Sequence, residues 1–564
     1  MSAVISPSTP ARSRDRAPWL ARAMRGVGLA TLCVFSSMTF AQSPPTEFSL
    51  ADAPAAAPYS EPAQQDAPWM PQALDEGYIP APNFNGGHFI AEGVNDHLAI
   101  SFTHDYPGRF SAVLSNGDIV TVGLSPPWNQ GAQSNGFWNL GMLRYDANGH
   151  WKAWPNPGQY GHDSNYRLVY PGDANYRLQY IRDLKVWRGF IYVLVDWQTA
   201  ATGLGRQDVY TLIFNEDGHY VGQLGAFGVG SSGLDHVDFY GTALVPMSAD
   251  RMMIVATAWD SAGSFIAVNR QTIQHGSGAE GTLFWDTTWG VPYAESETSR
   301  WKTYTAPVYF CLAGTSPCQA TAARAFKPEG FDFQDIYIAG SVQFMGDNWN
   351  GHVLKIATDD GSLKSEFGGG WVVVPFDQPD SNFDDRIYGL YVYQDNVYVA
   401  LSVARKCHPG IGVANLNGST GGYVTSFGNG GKLVFGGSGG GGTGLCTPGV
   451  NDDVPASISA TSNRLGIAGH HAESLALGGT VWDPMFAVVK ADTGTLLDLA
   501  THPVTGSSGQ RIGDAILYSA IGNGNSFVVA GEARHASQGN RLNFLTGKFV
   551  PVSTDRIFAD GFEH

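Results

Sequence analysis

Residues 331–370 read FDFQDIYIAGSVQFMGDNWNGHVLKIATDDGSLKSEFGGG, and this stretch decides the fold. The apolar, β-branched run at 335–342, DIYIAGSV, follows the polar Gln334 and suits a strand entered from a turn. After a loop, GHVLKIA at 351–357 places Val353, Lys355 and Ala357 on one face and Leu354 and Ile356 on the other, which is the period of a second strand. TDDG at 358–361 ends it, because Asp side chains accept local turn hydrogen bonds and Gly takes positive φ. The module is turn, strand, loop, strand, turn and glycine stop.

The module recurs. Aligned on the residue that closes the first strand, the strings are DIVTVG ending at Gly123, FIYVLV at Val195, MMIVAT at Thr257, DIYIAG at Gly340, NVYVAL at Leu401, RLGIAG at Gly469 and SFVVAG at Gly531. The intervals are 72, 62, 83, 61, 68 and 62 residues. A strand-and-turn repeat of this length predicts an all-β chain forming a seven-bladed β-propeller. The alternative is one or two large β-sandwiches, in which hairpins recur without so even a long period.

Arg12, Arg14, Arg16, Arg22 and Arg25 precede an apolar core at 27–35, and Thr39 and Ala41 hold the small-residue positions of a cleavage site, so residues 1–41 read as a secretory signal peptide. The core is short for a membrane span and Ser36 and Ser37 break it, and no transmembrane segment is expected in the mature chain. Residues 42–85, rich in Pro, Ala and Ser, read as a disordered or extended linker, and 86–552 as the propeller. HFIAEG and HLAISF, which precede the first repeat, are candidates to complete the last blade and close the ring. Cleavage after Ala41 removes five Arg and one Asp and moves the formal charge from −17 to −21. A chain so acidic, without a basic run, is not expected to bind nucleic acid. With 15% charged residues, 71 Gly and 12% aromatics, it suits a turn-rich exported β protein whose partner is an extracellular or cell-envelope polymer or protein.

Four cysteines remain after the signal, and local pairing of Cys311 with Cys318 and Cys407 with Cys446 is the simplest of their three connectivities. NYRLVY at 165–170 and NYRLQY at 175–180 form a small duplication, read as a hairpin insertion. The longest interval carries a second excursion, about 275–325, with Trp285, Trp289, Trp301 and the first cysteine pair.

DGSLKSEFGGG at 360–370 and GGYVTSFGNGGKLVF at 421–435 resemble the glycine-phenylalanine signature of delta-60 repeats, with weaker copies in NEDGHYVGQLGAFG at 215–228 and DANGH at 146–150. The resemblance covers roughly residues 110–550 and implies export and a β-propeller but no defined reaction. DRIFADGFEH, within the tail at 553–564, is similar to a short C-terminal sequence of many secreted bacterial proteins.

Motifs of known chemistry are missing: there is no HExxH, EF-hand loop, P-loop or dinucleotide fingerprint, and GGSGG at 436–440 lies in a glycine run without a strand-to-helix turn. No cofactor or metal is expected. The acidic pairs Asp359–Asp360, Asp384–Asp385 and Asp452–Asp453 read mainly as turns, with calcium as the alternative. If the aligned strands are equivalent, the residues that follow them share one end of the ring. These are Trp128, Asp196, Trp197, Trp259, Asp260, Asp347, Trp349, Arg405, Lys406, His470, His471, Arg534 and His535. Aromatic planes with polar neighbours suit sugars or peptides, and the competing reading is packing between blades. Two functions follow: a non-catalytic propeller binding a polymer or protein through that end, or a hydrolase or lyase of extracellular polymer with His470 or His471 as base.

Overall fold

Each of the seven aligned strings is the second strand of a separate antiparallel sheet. The computed structural model describes residues 78–92, 108–125, 139–162, 167–170, 176–199, 207–225, 237–260, 263–275, 280–286, 289, 308–311, 315–326, 335–344, 349–376, 384–405, 408–437, 452–474, 480–505, 511, 513–535 and 541–552. Three short 3-10 turns are the only helical segments among them. The innermost strands are Gly108–Val113, Tyr176–Trp187, Asp238–Ser248, Thr315–Phe326, Arg386–Tyr393, Asp452–Thr461 and Ala515–Asn523. Each touches the next in order, and the seventh touches the first, so the sheets are blades around a common axis. The fold is a seven-bladed β-propeller and not a pair of sandwiches.

The apolar residues of the alternating strands fill the gaps between blades, one cluster to a gap. In the third strand of the fourth blade, Trp349–Ala357, Leu354 and Ile356 face the third blade while Val353 faces the fifth. Tyrosines at one position of the aligned strings cross these gaps. Tyr192 donates to Gly281 O (3.1 Å), Tyr337 to Gly418 O (2.7 Å) and Tyr398 to Ala491 O (3.0 Å), each on the following blade. The glycine-phenylalanine strings supply the plugs beneath: Phe367 and Phe427 are fully buried and lie 5.5 and 5.9 Å from the rings of Tyr337 and Tyr398.

The small residue that ends several strings has a steric cause. Every innermost strand carries a β-bulge close to that position, at Arg109, Arg182, Thr242, Thr321, Tyr388, Ala456 and Tyr518. The bulge drives a backbone carbonyl against the second strand. A Cβ on Gly340 would lie 1.8 Å from Gln319 O, on Gly469 2.1 Å from Val454 O and on Gly531 1.9 Å from Ile516 O.

Closure of the ring joins the two ends of the described chain. The last long strand, Arg541–Pro551, pairs with Tyr78–Pro80 and with Ile90–Glu92. HFIAEG therefore contributes to the last blade as expected, whereas HLAISF lies outside the described residues. Tyr78–Pro80 falls within 42–85, so the part of that stretch from Tyr78 onward belongs to a blade rather than to a linker. Two other expectations need correction. Arg167–Tyr170 is an outer strand of the first blade and Tyr176–Trp187 is the innermost strand of the second, so the duplicated NYRL segments straddle a blade boundary and do not pair as a hairpin. The excursion at 275–325 likewise contains blade strands, Leu283–Trp285, Val308–Phe310 and most of Thr315–Phe326, and Trp289 is core, donating to Thr358 O across the gap (3.0 Å). Cys311 and Cys318 form the expected disulfide, while Cys407 and Cys446 lie outside the described residues.

Candidate functional site

The end of the ring where the second strands finish is also where the innermost strands begin, because the sheets are antiparallel. Successive residues of a strand face opposite gaps, so the candidate pairs diverge. Asp196 is fully buried and bridges two blades, accepting from Arg182 Nε (2.6 Å) and Gly241 N (2.7 Å). Burial raises its carboxyl pKa against the pull of Arg182. Trp197 turns the other way into the core between the first two blades, 5.2 Å from the Tyr210 ring. Trp259 is half-buried. Trp349, also half-buried, begins a third strand and lies under the Arg386 guanidinium at 4.6 Å. Arg534 is buried, its N–H bound to Asp514 O (2.7 Å). Asp260, Arg405 and His535 end their strands. Trp128, Asp347 and Lys406 lie outside the described residues.

The sixth blade brings titratable groups together. Asp453, His471 and Asp483 lie in one cross-strand row. His471 Nδ1 is 2.7 Å from Asp453 Oδ1, and Asp453 Oδ2 accepts Gly437 N (2.7 Å). Asp483 pairs with Arg511 at 2.8 Å. Burial lowers the pKa of His471, but the Asp453 hydrogen bond and charge more than offset this, and the net shift is upward. Burial pushes Asp483 up to about 6 despite Arg511. His470 faces away, edge-on to Trp482, and burial lowers it to about 4. Asp385 accepts Phe376 N (2.8 Å) in the same way that Asp453 accepts Gly437 N, and Asp360 accepts Ser362 N (2.9 Å). At least one member of each acidic pair thus accepts a backbone N–H, and no group of three metal-ligating side chains occurs among the described residues.

The bulges build a second constellation that the sequence reading missed. They stand opposite the ends of the aligned strings, on the innermost strands, which touch one another around the axis and enclose its throat. Tyr180 and Tyr388 are 38% and 36% exposed, although their strands are the innermost of the ring. Burial nevertheless raises the Tyr388 hydroxyl pKa. The Arg109 guanidinium lies 5.6 Å from the Tyr180 ring and 4.9 Å from Tyr518, and that of Arg182 lies 4.7 Å from Tyr180. Behind them, Asp196 holds Arg182, and fully buried Glu532 accepts from Tyr518 OH (2.9 Å). Asp196 and Glu532 occupy the same position, one residue beyond the aligned string, and each anchors the bulge residue of its own blade. The available signal was the Arg or Tyr in the strand preceding four of the strings, but the bulge there leaves no mark in a period-two pattern.

No protein-family model and no curated protein sequence matches the chain. Among solved structures it is similar to polysaccharide lyase Uly1, at 10% identity over 84% of this chain and 99% of that one, with a TM-score of 0.37. It is similar to a PL25 ulvan lyase at 10% identity over 68% of this chain and 78% of that one, TM-score 0.37. A third likeness is to CoXyl43, a GH43 β-xylosidase/α-arabinofuranosidase from a compost microbial metagenome, at 12% identity over 56% of this chain and 92% of that one, TM-score 0.30. Likenesses this distant carry no argument about ligand or reaction.

Proposed function

We propose that the protein is an exported β-propeller of delta-60 repeats that binds an extracellular or cell-envelope polymer, a glycan or a protein, without transforming it. Binding takes place at the end of the ring where the second strands finish. The observation that supports this reading is the exposure of Tyr180 and Tyr388 on the innermost strands, beside guanidinium groups anchored by buried carboxylates. Aromatic surface left partly open on innermost strands suits a ligand that offers an apolar face and hydroxyl groups. Residues 1–41 as export signal, the tail at 553–564 and a secreted or cell-surface location belong to the same reading. Screening the mature protein against immobilised polysaccharides and isolated cell-envelope fractions tests it. Retention by a polymer is expected, and retention by none would overturn it.

A second reading, an extracellular hydrolase or lyase, is favoured by one observation. His471 oriented by Asp453, with Asp483 beside it, provides a candidate base and acid whose pKa values are both raised, that of Asp483 to about 6. Release of new chain ends from a bound polymer, abolished in His471→Ala, would establish this reading; unchanged release would remove His471 from it.

A further inference from the structure

We propose that the axial throat takes a neutral polysaccharide, with one sugar resting on the Tyr388 ring and another, three blades away, meeting Tyr180, whose ring Arg109 and Arg182 back. This rests on the polymer-binding reading and adds the ligand's chemistry and place. Tyr388 stands at the bulge of the fifth blade, and among the described residues no ring or guanidinium covers it. An exposed ring of this kind buries the C–H face of a sugar. Tyr180 lies three blades away and presents a different surface. Two largely buried guanidiniums back its ring, and its partly exposed hydroxyl can both donate and accept.

Charge settles which sugars fit. Arg109 and Arg182 are matched by Asp196 and Glu532, so the cluster carries no formal excess. An anionic polymer would also approach a chain whose formal charge is −17 before export and −21 once residues 1–41 are gone, and repulsion at range works against it. The cluster is built for directional hydrogen bonding rather than for capture of a counter-ion, and a hydroxyl-rich uncharged chain meets both conditions.

Affinity electrophoresis and calorimetry of the mature protein with galactomannan, arabinoxylan and polygalacturonate, each at low and high NaCl, test the inference. The expected result is binding of at least one neutral polymer, insensitive to salt. Tyr388→Ala should weaken it roughly tenfold, the upper range for one aromatic contact, while Tyr388→Phe retains most of it. Tyr393→Ala is the control, because Tyr393 is exposed at the far end of the same strand and should bind as wild type. Equal binding by Tyr388→Ala and wild type would overturn the site. Preference for polygalacturonate, lost as salt rises, would overturn the neutral ligand and leave polymer binding standing. Retention by none of the three would overturn the polysaccharide ligand, while the screen of cell-envelope fractions still decides polymer binding.

Discussion

Gly340→Ala probes the relation between the bulges and the aligned strings. A Cβ there would sit 1.8 Å from Gln319 O and 2.7 Å from His352 Cε1. Contact distances below about 3 Å are not sustained, so the inner strand must withdraw by more than an ångström or the fourth blade must lose ladder hydrogen bonds near Thr321. Fully buried His352 cannot swing into solvent. Overpacking of this type costs about 1–3 kcal/mol, and with backbone as the obstacle we expect roughly 3 kcal/mol or more. Gly222→Ala is the matched control, because its Cβ would meet only Thr282 Cγ2 at 3.8 Å. It should change stability by no more than about 0.5 kcal/mol, in either direction. Urea unfolding followed by tryptophan fluorescence reads both. Equal midpoints and slopes for the two variants would refute the steric account of the closing glycine.

Tyr337→Phe and Tyr398→Phe each remove a buried hydrogen bond between blades: Ala491 O loses its tyrosine donor, so Tyr398→Phe should cost about 1–2 kcal/mol, whereas Gly418 O keeps Lys355 Nζ (3.0 Å) and Tyr337→Phe should cost about 0.5–1 kcal/mol in the same assay. Deleting residues 1–92 removes both N-terminal strands from the last blade and leaves Arg541–Pro551 as an open edge, and soluble monomer measured by size-exclusion chromatography should fall sharply. Acid should destabilise the ring early. His352 and His470 have pKa values lowered by burial to about 3 and about 4, so the stability of their neutral forms is complete above about 6.5 and declines as pH falls, by about 1.4 kcal/mol per pH unit for each. His471 has the opposite sign: its raised pKa contributes stability that is present below about 6.5 and lost as pH rises through the folded value, and His471→Gln should flatten that alkaline decline in pH-dependent unfolding. Peptide mapping without reduction should find Cys311 joined to Cys318.

Period and spacing carried much of the fold. The tyrosine shared by FIYVLV, DIYIAG and NVYVAL marks the strand that ties one blade to the next, and the glycine ending DIYIAG, RLGIAG and SFVVAG, three of the four strings that end in glycine, marks the carbonyl pressed against it. Strand membership was harder to read where segments are short or interrupted. Tyr78–Pro80 is three residues in a Pro- and Ala-rich stretch, and only pairing with a strand more than 450 residues away makes it part of a sheet. The same limit applies to the site. Asp196, His470 and His471 lie in the last part of their second strands, where the string alignment points, but period two alone does not tell that Trp197 enters the core or that His471 meets Asp453. Arg109, Arg182, Tyr388 and Tyr518 were missed because each stands at a bulge, which is a property of the paired strands and not of either one alone, and Tyr180 because it lies between two such irregularities.

Hydrogen–deuterium exchange with and without saturating galactomannan, or whichever polymer the screen retains, tests most directly the claim that the bulged inner strands form the binding throat. The account predicts slowed exchange concentrated in Gly108–Val113, Tyr176–Trp187, Arg386–Tyr393 and Ala515–Asn523, with outer strands such as Tyr220–Gly225 and Lys432–Phe435 unchanged. Protection confined to the outer strands would contradict it.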